Sequence, residues 1–529
     1  MQKMHLVALF SGLVLCLSFV AGCGGGTSQP PPTPTSPASD ATPVRTPAPV
    51  GTLSPRSGGT LRVATTSDNL SIDPALLTTN PDVFLTSQVY DKLMERAYDM
   101  TVQPELATTW EASADLSVYT VHLRSGAKFH SGKAFTASDA VYSLKRVLDP
   151  ATGSPAAAAL SSVKDVVAVD GSTLRFELAL PSAFFPDSLT TYQLEMISAT
   201  TDVKTLVTAA DGTGPFSLKE FKPGERAILE RNQSYWGQGP YVDQVVFYFM
   251  PSNQGRIEAL KTGSVDVAYP LAATAVPDLQ KASGVRVSSV PSGTYITLVM
   301  DQTQKPFDNI KVRQAVQAAT DRQSINKAAM LGLATVGADI QIAPNDPNYP
   351  ANVAPVPYDP ARAKQLLVEA GYPNGIDITL HASDVYNGLV EMAVAFQASA
   401  APAGIRVKIS RDPADTFWDK VWLTDSFVTV SWSGRDADSA LSIVGLSDAP
   451  WNESKFKSPE VDALIFKARG MTDVAARRQV YGQLQKVLAD DASRIIPVFV
   501  PVFMGLRANV QGLEAHPGNF LLLEGAWLG

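Results

Sequence analysis

From residue 58 onward, the spacing of apolar positions switches repeatedly between a two-residue and a helical period. "GGTLRVAT" (58–65) sets Leu61 and Val63 on one face of an opening strand. Further β-rich runs are "STLRFEL" (172–178), "DQVVFYFM" (243–250), "TYITLVM" (294–300), "SFVTVSW" (426–432) and "RIIPVFVPVF" (494–503). Helices are predicted between them. In "TASDAVYSLKRVLD" (136–149), Thr136 is placed to cap the N-terminus with Asp139 in the first turn, while Ala140, Val141, Leu144, Val147 and Leu148 share one apolar face. "YDPARAKQLLVEAGYP" (358–373) puts Asp359 at the cap, Pro360 at the first helical position and Gly371 just past the end, where a fixed φ starts a helix and a positive φ stops one. "SPEVDALIFKARG" (458–470) repeats that device with Ser458, Pro459 and Gly470. Strands and helices alternate without a short repeat, which predicts an α/β body in more than one lobe.

The N-terminus is patterned differently. Lys3 and His5 precede the apolar run "LVALFSGLVLCLSFVAG" (6–22), and Cys23 follows small residues in "VAGC". That order predicts a secretory signal peptide over 1–22, not a spanning helix. "VAGC" also resembles a bacterial lipobox, which implies lipidation of Cys23. The chain has only two cysteines, and Cys16 would leave with the signal, so the exported protein is expected to hold no internal disulfide. Residues 23–57 are dominated by Gly, Ser, Thr and Pro. Such a segment buries no core and is predicted to be an extended, semi-rigid linker, here a tether holding the body off a membrane surface.

Composition narrows the function classes. A hydrophobic fraction of 45% against 18% charged residues excludes a largely disordered chain. The net charge of -8 argues against a nucleic-acid partner, which needs a basic face. Enzyme signatures are missing: the chain has no H-E-x-x-H, no clustered Cys and His and no G-x-S-x-G. His122 and His130 are read as structural or surface residues, because no third ligand stands at metal-site spacing. Neither a metal nor another cofactor is expected. Carboxylate pairs on separate segments keep a secreted hydrolase as the alternative of a different class.

Several segments are more specific. "PELATTWEASADLSVYTVHLRSGAKFHSGKAFTASDAVYSLKRVLDP" (104–150), "GTGPFSLKEFKPGERAILERNQSYWG" (212–237), "KPFDNIKVRQAVQAATDRQSI" (305–325) and "YDPARAKQLLVEAGYP" (358–373) follow one another in the chain. Together they resemble the solute-binding proteins of family 5, which serve ABC importers for peptides, nickel chelates and related solutes. The resemblance implies a two-lobed periplasmic-binding-protein fold of type II, with mixed sheets and hinge-connected lobes. Lobe I would hold 58–290, with an inserted subdomain at about 80–190, and lobe II 291–496; 497–529 would return to lobe I. "TYITLVM" and "IIPVFVPVF" would be the hinge strands. Closure on a peptide or related polar solute, rather than catalysis, is the implied mechanism. The implied partners are an ABC permease and ATPase, the chain is expected to be a monomer, and oligosaccharide, opine-like and metal-chelate ligands stay open. Phe129, His130, Phe135 and Trp236 are read as architecture, and Arg313 as a structural ion-pair residue facing Asp321 or a hinge carboxylate.

The ligand loop is expected at "VSWSGRDADS" (430–439). In peptide-binding members of the family, a strand ending in Trp is followed by a small residue and an aspartate that pairs with the peptide's α-amino group, since a buried ammonium needs a carboxylate. Aligned on Trp432 and Gly434, that position holds Arg435. Two readings stand: Arg435 binds an anionic ligand group with its planar fork, or the loop slips by one residue and Asp436 or Asp438 takes the amine. Trp432 offers apolar contact and an N–H donor, and the backbone of Ser431 to Gly434, which includes Ser433, offers strand-like pairing to a peptide. Thr79 and Asn80 in "LTTNPD" and Trp418 in "DTFWDKVW" are further ligand candidates. Trp418 and Trp422, four apart, would share one helix face.

Overall fold

The computed structural model describes residues 54–66, 71–78 and 80–529. The predicted signal peptide, Cys23, most of the tether and Thr79 lie outside them. The body Pro55–Gly529 is one compact unit.

Two mixed sheets carry the architecture. The first has seven strands, in the order Val285–Val290, Val502–Arg507, Val267–Ala268, Thr60–Thr65, Gln244–Phe249, Arg226–Arg231 and Phe216–Lys222. Thr60–Thr65 runs parallel to both of its neighbours. Leu61, Val63, Val245, Phe247 and Met504 are buried there, around a core that also takes up Leu521 and Leu523 near the C-terminus. The second sheet has six strands: Thr335–Val336, Arg494–Phe499, Tyr295–Met300, Phe427–Trp432, Ile376–Ser383 and Ile405–Asp412. Every residue of Tyr295–Met300 is buried, as a continuous apolar run predicts for a strand covered on both faces. The helices Ile310–Ala318, Pro360–Glu369 and Leu389–Ala400 pack on this sheet through Val312, Val316, Leu366 and Phe396.

The chain passes between the sheets twice, from Val290 to Tyr295 and from Phe499 to Val502. The crossings are bonded to each other: Val500 N donates to Thr294 O at 2.7 Å, and Ser292 Oγ to Val500 O at 2.6 Å. Beyond the first sheet, Ala107–Ala112, Val118–Leu123, Thr173–Leu178 and Val163–Ala168 form a separate four-stranded antiparallel sheet. The helix Ala137–Leu148 covers it, starting in a capping box between Thr136 and Asp139.

The predicted caps of the other two helices are present, with a difference at one end. Asp359 accepts from Arg362 N at 2.8 Å and Ser458 from Val461 N at 3.2 Å. Gly371 follows its helix with φ 93°, whereas Gly470 has φ -83°. That second helix ends without a left-handed residue, and its last carbonyl, Arg469 O, accepts from Ala183 N of a distant segment instead. Arg313 is paired not with Asp321 but with Asp491, at 2.6 Å, both side chains buried. Asp321 caps its own helix through Gln323 N and Ser324 N.

Candidate functional site

The strand Phe427–Trp432 lies between Tyr295–Met300 and Ile376–Ser383, and its last residue stands opposite Tyr295. After Trp432 the chain leaves the sheet. It makes a turn at Ser433–Arg435 and enters the helix Ala437–Ser442, for which Asp436 is the N-cap through a 2.9 Å bond from Ser439 N. Two glycines make this turn fit: a Cβ on Gly434 would stand 2.9 Å from Gly293 Cα. Side chains at either position would push the turn off the crossing segment.

Trp432, Ser433 and Arg435 line a small, narrow recess with Gly293, Tyr295, Gln341, Ala440 and Ile443. Trp432 is only 9% exposed and forms one wall with Tyr295, Val444 and Phe499. Its indole meets Trp422 at 6.4 Å and Trp451 at 5.7 Å between ring centroids. The indole N–H donates at 3.4 Å to Glu453, while Trp422 Nε1 donates to the other carboxylate oxygen at 2.5 Å. Glu453 is in turn ion-paired with Arg494 at 2.6 Å. The N–H expected to serve a ligand thus has Glu453 as its partner. Gly434 N lies 3.4 Å from Thr294 Oγ1. Trp418 stands farther out, 41% exposed on the short helix Phe417–Lys420, edge-on to Trp422 at 5.3 Å. Asn80 opens the helix Asn80–Thr86.

The three charged residues of the loop separate. Arg435 is exposed, with its guanidinium carbon 6.0 Å from the Trp432 ring. It forms no ion pair with any described residue. Its charge bears on two phenols. Burial raises the Tyr192 phenol, opposed by a bond with Gln193 and by Arg435; burial likewise raises Tyr295, opposed by Arg494 and Arg435. Asp436 lies 4.0 Å from Arg96, which is bound to Asp187 at 2.9 Å. Asp438 is held by Arg469 at 3.0 Å, and burial raises its carboxyl above the ordinary range despite that partner. Sequence reasoning did not mark Tyr192, Gln341 or Glu453. Tyr295 was visible only as part of a strand.

Residues read as architecture are so placed. Phe129 and Phe135 are buried in the subdomain core, His130 Nε2 lies 3.0 Å from Gly214 O, and Trp236 Nε1 donates to Asp91 at 2.8 Å. His122 lies 3.3 Å from Glu111 on an exposed face.

Residues 101–452 match the family described as bacterial extracellular solute-binding proteins, family 5. The glutathione-binding protein GsiB of Pectobacterium atrosepticum is 30% identical over 481 residues, covering 88% of this chain and 93% of that protein. The heme-binding protein A of Haemophilus influenzae is 30% identical over 508 residues, covering 88% and 91%. Among solved structures, the periplasmic binding protein DppA of Helicobacter pylori in complex with the peptide STSA superposes with a TM-score of 0.72 at 28% identity, covering 89% of this chain and 98% of that one. A two-sheet body crossed twice by the chain and this extent of similarity lead to one assignment: the chain belongs to the bacterial extracellular solute-binding proteins of family 5.

Proposed function

We propose that this protein is the extracytoplasmic receptor of an ABC importer, and that it captures a small polar solute through a carboxylate or comparable anionic group seated on Arg435. The observation that carries the reading is the division of charge in the loop 432–438. Arg435 stands at the recess over the Trp432 face without an ion pair among the described residues, while Asp436 and Asp438 are engaged by Arg96 and Arg469. An arginine so placed presents a planar donor fork to a carboxylate or phosphate. An amine-binding role for Asp436 or Asp438 would require breaking those pairings. Glutathione, heme and a peptide all carry carboxylates, so the ligands named for the relatives are compatible with such an anchor.

The receptor acts as a monomer delivering its ligand to a permease and its ATPase. Its membrane attachment is a lipid on Cys23, with residues 24–57 as the tether; "VAGC" and the Pro-rich composition support this. Intact mass of the membrane-extracted protein, compared with a Cys23→Ser variant, tests the anchor.

The ligand reading is tested by thermal unfolding against glutathione, free, N-blocked and C-amidated di- to pentapeptides, hemin, nickel chelates, oligosaccharides and phosphorylated sugars. A ligand at a hundred times its Kd adds about 2.7 kcal/mol of stability. Compounds with a free carboxylate or phosphate are expected to stabilise the protein, and C-amidation to abolish the effect. Arg435→Ala should weaken binding by more than about 1.5 kcal/mol, the scale of a hydrogen bond to a charged group. Undiminished affinity in that variant, or discrimination by N-blocking alone, would remove Arg435 from the site.

A further inference from the structure

Two consecutive phenylalanines follow the subdomain strand Thr173–Leu178, and they face opposite ways. Phe185 packs into its own subdomain, with ring centroids 4.9 Å from both Tyr119 and Phe176. Phe184, 3% exposed, is buried among residues of the other lobe, including Ile340, Ile342, Leu441 and Tyr481. The guanidinium carbon of Arg477 lies 4.3 Å from the Phe184 ring centroid. The turn that splits the pair is built locally. Ser182 Oγ accepts from Phe184 N at 3.1 Å, and Ser182 O accepts from the Tyr119 hydroxyl at 2.7 Å. Phe185 therefore fixes the segment to its own sheet while Phe184 projects from it.

Two polar contacts flank this plug. On one side, Ala183 N donates at 2.8 Å to Arg469 O, the terminal carbonyl of the helix Pro459–Arg469. On the other, Arg96 lies 2.9 Å from Asp187 and 4.0 Å from Asp436, the residue next to Arg435. We propose that Phe184 is the plug of an inter-lobe latch: the segment 182–187 docks into lobe II when the cleft shuts, and Phe184 holds the two lobes together beside the ligand loop. An aromatic ring withdrawn from water into an apolar socket supplies closing free energy without a ligand, and the flanking bonds set its alignment.

The test uses the full chain without ligand, so its outcome is independent of what the protein binds. Hydrogen exchange is followed in peptides spanning 180–188 and 437–446, together with the radius of gyration from solution scattering. Phe184→Ala is expected to speed exchange at 180–188 by tenfold or more and to raise the radius of gyration, while strand 173–178 exchanges as in the wild type. Phe184→Leu, which keeps most of the apolar volume, should restore most of the protection. The proposal is overturned if Phe184→Ala changes neither readout or if wild-type 180–188 exchanges as fast as the variant. A matching rise across strand 173–178 would overturn it too, since the ring would then be supporting the subdomain rather than joining lobes.

Discussion

Glu453 and Arg494 are ion-paired at 2.6 Å with side chains 1% and 7% exposed, and the same carboxylate accepts the indole N–H groups of Trp422 and Trp432. One buried acid thus orients both indoles beside the recess and neutralises the first residue of the second crossing strand. Glu453→Ala leaves a buried guanidinium without its counter-ion, and a broken pair of this kind costs about 3–5 kcal/mol. Urea unfolding should show that loss, with a red shift of tryptophan emission. A variant within about 0.5 kcal/mol of wild type would mean that the pair carries no weight.

Gly434→Ala brings a Cβ to 2.9 Å from Gly293 Cα and 3.0 Å from Gly293 C, backbone atoms that cannot swing aside. Overpacking of this type costs about 1–3 kcal/mol. Because relief comes from displacing the turn that carries Arg435, the variant should lose affinity for any stabilising ligand found in the panel as well as thermal stability. Intact affinity would show that the turn tolerates the shift.

Stability should rise as the solution is made mildly acidic. Burial, and next the Glu105 charge, raises Asp91 from 3.8 to about 7 and Glu95 from 4.5 to about 8, with Lys92 opposing the rise in both. The folded protein keeps these protons to higher pH than the unfolded chain. Their contribution is full below the ordinary carboxylate range and is lost as pH rises through about 7 and 8. Asp91→Asn, which can still accept from Trp236, should flatten the fall in Tm between pH 5.5 and 8.5. Parallel wild-type and variant curves would refute this origin.

A separate pH effect should act on lobe separation. Burial raises Asp187 to about 6, with Arg96 opposing and Asp436 and Asp346 adding to the rise. Parting the lobes takes Asp436 and Asp346 away and returns Asp187 toward 3.8. Protonation therefore favours the closed form, in full at the acid end, with the advantage lost as pH rises through about 6. Scattering from the ligand-free protein should give a smaller radius of gyration at pH 5 than at pH 7.5, and Asp187→Asn should remove the difference. A radius independent of pH in the wild type would count against the linkage.

Much of the fold was legible because it is written locally. Thr136, Asp359 and Ser458 are cap residues whose chemistry acts within three positions, and Tyr295–Met300 announces two-sided burial by its unbroken apolar run. What depends on distant chain was not. Gly470 looked like a left-handed stop, yet its φ is -83°, and the helix's last carbonyl accepts from Ala183, far away in sequence. The partner of Arg313 is 178 residues off, beyond any periodicity. At the site, a tryptophan, a glycine and an arginine in succession marked the loop. The partners of Asp436 and Asp438, Arg96 and Arg469, lie far away in sequence and were not legible there, and Phe184 and Phe185 are indistinguishable as letters.

The paired crossings at Ser292–Thr294 and Val500 bear on how the cleft moves. Two hydrogen bonds tie the crossing segments to each other, so they are linked side by side where the chain passes between the sheets. The two crossings therefore bend as one joint: a hinge movement at Ser292–Thr294 carries Val500 with it, and the two sheets stay coupled through both segments rather than through either alone.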